Sequence, residues 1–334
     1  MKKLFAMLLT AVLAFGAVGC GGDSAAKDDN GLEDVTVVLD WYPNALHSFL
    51  YVAQEKGYFA EEGLNLKVNF PANTNDGISL PAAGKADIGL YYMEDAILTS
   101  VGEDVPVVSV GAVTQVAPNV VISLKESGIE TPADLAGKKI GYAGTALSEA
   151  QIASMLEAEN LSAKDCEIID VGFDLLTATT TGQVDATIGN MVNHEVPQLE
   201  EEGFEINYFF PTDYGVPQCH EMVFLTSQKM VDENPEKIQK FLRACQKGFE
   251  DMKADPEGAL QILLENQNAE NFPLSEKVER KSMEMLLPMM ETADAPFLSQ
   301  DVTVWQNNAD WMYKMGLISE KADVSYLVKD LLSE

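Results

Sequence analysis

From residue 35 onward, apolar positions switch repeatedly between a two-residue and a three-to-four-residue period, as strands and helices in alternation do. Residues 35–39 are apolar except for Thr36 and rich in β-branched side chains, which predicts a buried parallel strand. Residues 45–56 predict a helix that buries Phe49, Leu50, Val52 and Ala53 and stops at Gly57. Leu64, Leu66, Val68 and Phe70 then alternate with Asn65, Lys67 and Asn69, giving a strand with one wetter face. A helix end at 79–83, a cap at Gly84 and a strand over 87–91 complete a βαβαβ run. Such a run belongs to the α/β class, in which helices cover a mostly parallel sheet and ligands sit at the carboxyl ends of its strands.

The alternation restarts after Asn119. Residues 120–124 predict a strand, and Thr131 followed by Pro132 starts a short helix that ends at Gly137, because threonine caps free amides and proline needs none in the first turn. A strand over 138–142 runs into a Gly144-Thr145 turn and a helix over 147–158; the turn presents free amides, weak evidence for an anion site. After a strand at 222–227 come helices at 233–254, 256–265, 275–290 and 303–315. The stretch 84–90 also matches 182–188, each reading as helix stop, turn and strand, and each followed by a polar or aromatic loop (Tyr91, Tyr92 and Glu94; Asn190, Asn193, His194 and Glu195). Two similar lobes follow from this: 33–119 with 220–334, and 120–219. The C-terminal helices are expected on the first, and the hinge near Asn119 and 215–221.

Ahead of these lobes, Lys2 and Lys3 precede an apolar run over 4–18 that is shorter than the roughly 20 residues of a membrane span. It closes on Ala17, Val18, Gly19 and Cys20, a small-residue cleavage site, so residues 1–19 read as a signal peptide. The residues before Cys20 resemble the bacterial lipobox, which implies lipidation of Cys20 and a domain anchored to the cell membrane, outside the cytoplasm. Residues 20–32 form the polar tether.

Acidic residues number 53 against 22 basic ones, a formal charge of -31. That charge repels phosphate backbones and excludes nucleic acid as a partner. Cys166, Cys219 and Cys245 show no disulfide spacing, and three reduced thiols fit them better than one bridge with a free thiol. His47, His194 and His220 lack metal-ligand spacing, so neither metal nor cofactor is expected. Cys219-His220 is the sole pair that suggests a nucleophile and base; neighbours on a strand point apart, so no catalytic group is assigned.

Residues 39–44 (Leu-Asp-Trp-Tyr-Pro-Asn), His47, Tyr51-Val52-Ala53 and 55–59 through 62–64 resemble the opening of the thiamine-pyrimidine precursor family, whose bacterial members are ThiY-like binding proteins. The likeness extends to 83–88, a turn shared with sulfonate, nitrate and taurine binders, to 189–195, and to 214–217 with Glu221. It implies the type II periplasmic-binding-protein fold and a monomeric receptor that hands its ligand to an ABC permease. An aminopyrimidine wants aromatic faces and a carboxylate beside an amide. Trp41 and Tyr91 fit the first need, and Glu195 with Asn193 or Asn190 the second. Asp40 and Asn44 face them from the first lobe, and Gln115 lies near the first crossover. The duller readings are a core Trp41, an Asn44 that only caps its helix, a solvated Glu195, and His47 on a helix surface. Riboflavin, another heteroaromatic ring or a sulfonate are alternative ligands, though Asp40 and Glu195 oppose a sulfonate. The yeast-type relatives make the pyrimidine from their own histidine and carry a cysteine-rich motif that is missing here; with the export signal, this opposes a pyrimidine-synthesis enzyme.

Overall fold

The computed structural model describes residues 31–332 apart from 104, 173, 268 and 271, so the expected signal peptide, Cys20 and most of the expected tether lie outside the described residues. In chain order the first half runs β1 (Glu33–Val38), a 3₁₀ turn (Ala45–His47), α1 (Ser48–Glu55), α2 (Tyr58–Glu61), β2 (Leu64–Asn69), α3 (Asp76–Ala82), β3 (Ile88–Tyr92), α4 (Met93–Glu103) and β4 (Val107–Ala112). It continues with β5 (Asn119–Leu124), β6 (Lys139–Tyr142), α5 (Ala146–Ala158), β7 (Glu167–Asp170), α6 (Leu175–Thr180), β8 (Ala186–Met191), α7 (Glu195–Glu201) and β9 (Ile206–Phe209). The chain closes with β10 (Met222–Ser227), α8 (Gln228–Glu233), α9 (Pro235–Ala254), α10 (Pro256–Glu265), α11 (Glu276–Met290) and α12 (Val302–Lys314).

The strands form two five-stranded sheets, ordered β2-β1-β3-β10-β4 and β7-β6-β8-β5-β9. Within each, four strands run parallel and the fourth in order, β10 or β5, runs antiparallel to both neighbours. The internal repeat is therefore structural, since β3 and β8 hold the same central place. Gly84 and Gly182 both adopt positive φ, 66° and 70°. Three residues on, Asp87 accepts from the Thr36 amide of β1 and Asp185 from the Lys139 amide of β6, each at 2.8 Å. Each turn thus ties its strand to the parallel neighbour.

Several elements depart from the sequence reading. The helix expected over 45–56 opens as a 3₁₀ turn and ends at Glu55. The one expected over 233–254 is two helices, because Pro235 has no amide to continue α8 and starts α9 instead. Tyr91, Tyr92 and Glu94, expected in a loop, end β3 and open α4; Glu195 likewise opens α7. Acids in a first turn suit the positive end of the helix dipole, which is why so polar a stretch turns helical. The 131–137 helix is a 3₁₀ turn with a reciprocal Thr131–Asp134 cap.

Phe49, Phe224, Phe241, Phe249 and Phe297 pack the first sheet against α1, α9 and the chain beyond α11. A second core joins both halves: Met93, Ile97, Trp305 and Met312 meet Ile140, Ile152 and Met155. Helix α12, expected on the first lobe alone, reaches across, with Trp311 Nε1 donating to Ser154 Oγ of α5 at 2.8 Å and Asn308 Nδ2 to Gln218 O at 2.8 Å.

Candidate functional site: a cleft at the carboxyl ends of both sheets

β3 and β4 end, and β10 begins, at one edge of the first sheet; β8 and β9 end, and β5 begins, at the corresponding edge of the second. Both connections between the halves, β4 to β5 and β9 to β10, therefore cross at these edges. They are bonded to each other: Val113 N donates to Met222 O at 2.8 Å and Met222 N to Thr114 Oγ1 at 3.1 Å.

The candidate residues fall into three groups around this crossing. At the mouth, an opening of about 410 Å³ lies between the loop after β1, the α10–α11 connection and α7, lined by Trp41, Asn44, His194, Gln198, Phe272 and Glu279. Trp41 is 54% exposed, which removes it from the core, and meets Tyr42 and Phe272 edge-on at 5.8 and 6.1 Å. Asn44 caps the 3₁₀ turn, its Oδ1 accepting from Leu46 N at 3.0 Å. His47 corrects the expectation of a helix-surface residue. It is fully buried, and its Nε2 faces Asp40 Oδ1 at 2.8 Å, so Asp40 is engaged within the first half.

The α7 group links the halves. Asn193 Nδ2 donates to Ser282 Oγ of α11 at 3.0 Å, and Ser275 Oγ to Glu201 Oε2 at 2.7 Å. Glu195 accepts from Met191 N at 2.7 Å with one oxygen and faces His194 Nδ1 at 3.1 Å with the other. Burial pulls His194 down, and Glu195 and Glu279 overcome it, leaving the imidazole above its ordinary value. Asn190 lies deeper and folds back on its own strand, Nδ2 donating to Thr187 O and Oγ1, each at 3.0 Å.

The floor combines the candidates Tyr91 and Gln115 with two buried acids, Glu94 and Glu221, to which the sequence reading gave no ligand role. Tyr91 donates to Thr74 O at 2.5 Å and stands edge-on to Tyr92 at 5.1 Å. Gln115 is pinned at the first crossover, Nε2 donating to Ser299 O at 3.0 Å and Pro296 O at 3.2 Å. Beneath them, buried Cys219 donates to Glu94 Oε1 at 3.2 Å, whereas His220 Nε2 accepts from Asp301 N at 3.2 Å, so the Cys219-His220 neighbours serve different partners. The expected free amides at 143–146 are capped, Thr145 Oγ1 accepting from Ser148 N at 3.1 Å. Burial raises both Glu94 and Glu221, which repel one another. The signal available in the sequence was position: Glu94 lies two residues past a strand end, and Glu221 directly precedes the returning strand.

Burial also pushes Asp95 from 3.8 up to about 6. The folded chain then holds this proton more tightly than the unfolded one, so stability falls as pH rises from about 4 through 6. Urea midpoints measured from pH 4 to 7 should show a shallower decline for Asp95→Asn; an unchanged slope would assign the decline to other acids.

Cys166, Cys219 and Cys245 are all free thiols. Among the described residues, no group of three or more histidine, cysteine, aspartate or glutamate side chains is placed to hold a metal ion, and no helix is long and apolar enough to cross a membrane.

Two α/β lobes meeting at such a cleft define the periplasmic binding protein fold. The aliphatic sulphonate binding protein SsuA from Escherichia coli superposes with a TM-score of 0.70 at 16% identity, covering 89% of this chain and 92% of that one. Residues 44–259 match the model of the NMT1/THI5 like family, and the chain belongs to it. The formylaminopyrimidine-binding protein of Halalkalibacterium halodurans is 44% identical over 289 residues, 86% of this chain and 87% of that protein. A 4-amino-5-hydroxymethyl-2-methylpyrimidine phosphate synthase of Legionella pneumophila is 26% identical over 297 residues, 87% of this chain and 89% of the synthase.

Proposed function

We propose that the chain is the extracytoplasmic receptor of an ABC importer and closes its two lobes on an aminopyrimidine precursor of thiamine. The observation that carries this reading is the 44% identity to a formylaminopyrimidine-binding protein along most of both chains. In this reading Trp41 and Tyr91 of the first lobe offer aromatic faces, and Asn190, Asn193 and Glu195 of the second offer the amides and carboxylate. Asp40, Asn44 and Gln115 complete the site from the first lobe; the exposed Trp41 and the half-buried Asn44 at the mouth support it. The lobes are 33–119 with 220–334, and 120–219, turning about the two crossovers. Asn193–Ser282 and Ser275–Glu201 are bonds that closure makes and opening breaks. Ligand favours the closed form to the extent that it binds that form more tightly, and the permease reads closure. Residues 1–19 direct export, Cys20 carries the lipid, and the receptor works as a monomer.

The reading assigns no catalytic group, although a relative named as a synthase spans most of the chain. Thermal unfolding with formylaminopyrimidine, riboflavin and an alkanesulfonate tests it. Ligand at a hundredfold excess over Kd adds about 2.7 kcal/mol to native stability, and formylaminopyrimidine alone is expected to raise the melting temperature accordingly. A shift with riboflavin or the sulfonate instead would keep the receptor and replace its ligand, and turnover of any of them would make the chain an enzyme.

A further inference from the structure

Glu221 breaks three preferences at once. It is a non-glycine residue at φ 51°, where a side chain is strained. Its carboxylic acid is buried, with the residue 4% exposed, and its Oε2 has no hydrogen-bond partner. A purely structural residue here needs none of these features, since glycine takes this backbone conformation freely. The Asn119 backbone and side-chain amides lie beside this carboxyl and favour its charged form, against the burial that opposes it. The Glu221 carbonyl accepts from Met93 N at 2.7 Å. The residue is thus fixed between the first residue of β5 and the first residue of α4, where the crossovers meet and the carboxyl ends of both sheets face the cleft.

We infer that Glu221 is a specificity-determining residue of the ligand site, its Oε2 forming a hydrogen bond to a ring nitrogen of the bound heterocycle. The inference rests on the receptor reading above. The groups around the carboxyl are acidic or weakly acidic: Glu94 and Asp95 of α4, Tyr92 of β3 and Cys219 on its own segment. The neighbouring histidine, His220, is turned to Asp301 N. Burial first, and then repulsion from Glu94, hold the proton on Glu221 well above the usual carboxylate range. Oε2, the carboxyl oxygen without a partner in the fold, is then free to carry that proton and act as a donor. The lone pair of a pyrimidine nitrogen accepts from it, whereas a ring C–H in the same place leaves it unpaired.

Calorimetry on the purified protein with formylaminopyrimidine and with 4-amino-5-hydroxymethyl-2-methylpyrimidine tests the contact. Glu221→Ala should weaken binding about tenfold or more, while Glu221→Gln, whose carbonyl keeps Asn119 and whose amide replaces the O–H donor, stays within about threefold of wild type. Wild-type affinity should also fall as the carboxyl ionises at rising pH, and the glutamine variant's should not. An alanine variant that melts normally and binds as tightly as wild type would make Glu221 purely structural and overturn the inference while the receptor reading stands. Loss of binding in the glutamine variant equal to that of alanine would overturn it too. Binding of riboflavin in place of the pyrimidines, with the same order of variants, would change the ligand and leave the inference intact. Binding of an alkanesulfonate alone would remove both.

Discussion

Replacing Phe49 with alanine is expected to lower the unfolding free energy by about 4 kcal/mol, the usual cost of deleting a fully buried aromatic ring from a core that cannot collapse around the gap. Phe49 is fully buried on α1 and stands edge-on to Phe297 at 5.1 Å and to Phe224 at 6.1 Å, with ring planes at 72° and 69°. It therefore touches the sheet through β10 and the segment after α11 at once. Collapse is blocked from the α9 side, where a Cβ on Gly248 would stand 2.2 Å from Phe49 O, so backbone already meets backbone. Urea unfolding followed by tryptophan fluorescence measures the loss; a change below about 1 kcal/mol would mean that these layers slide together, contrary to a close-packed interior.

The second large effect is expected at Gly89, where alanine should cost about 3 kcal/mol through overpacking. A Cβ there would lie 1.9 Å from Gly77 O and 2.9 Å from Pro81 Cγ, so α3 would have to lift off β3. No rotamer relieves a clash with a backbone oxygen. The equivalent residue of the second half is Thr187, whose Oγ1 meets Thr179 Oγ1 of α6 at 2.9 Å. The two halves thus solve the same helix-on-strand contact differently, one by contact of backbones and the other by a hydroxyl pair. A Gly89→Ala variant with an unshifted unfolding midpoint would show that α3 rides loosely on its strand.

Local signals made the strand–helix alternation legible, because Gly57, Gly84, Gly137 and Gly182 adopt the positive φ that stops predict. The repeat was legible for the same reason, as Asp87 and Asp185 each bond to the strand beside them. Non-local pairings were not. His47 read as a surface residue because helical spacing says nothing of Asp40, which the chain brings to its Nε2 only by folding the loop after β1 back over the turn. Nor does the sequence reveal that Glu221 leans on Asn119, since that contact exists only once both crossovers lie together. Among the candidates, Trp41 and Asn44 line the mouth, whereas Asn190 and Gln115 engage mainly their own surroundings. Residue type marked these side chains as polar or aromatic, and topology decided which of them face the cleft.

The strand order also constrains how the protein assembles. β3 and β4 never pair with each other; each pairs with β10, which begins at Met222, after the whole of the second sheet has been made. Chain delivered from its N-terminus therefore presents a first sheet split down the middle, with two unpaired inner edges, until residues 222–227 arrive. The second sheet draws all its strands from one unbroken stretch and can finish first. Until β10 fills the slot, those open edges are where a second nascent copy would add a strand, so the interval before its arrival is when the chain is most prone to aggregate.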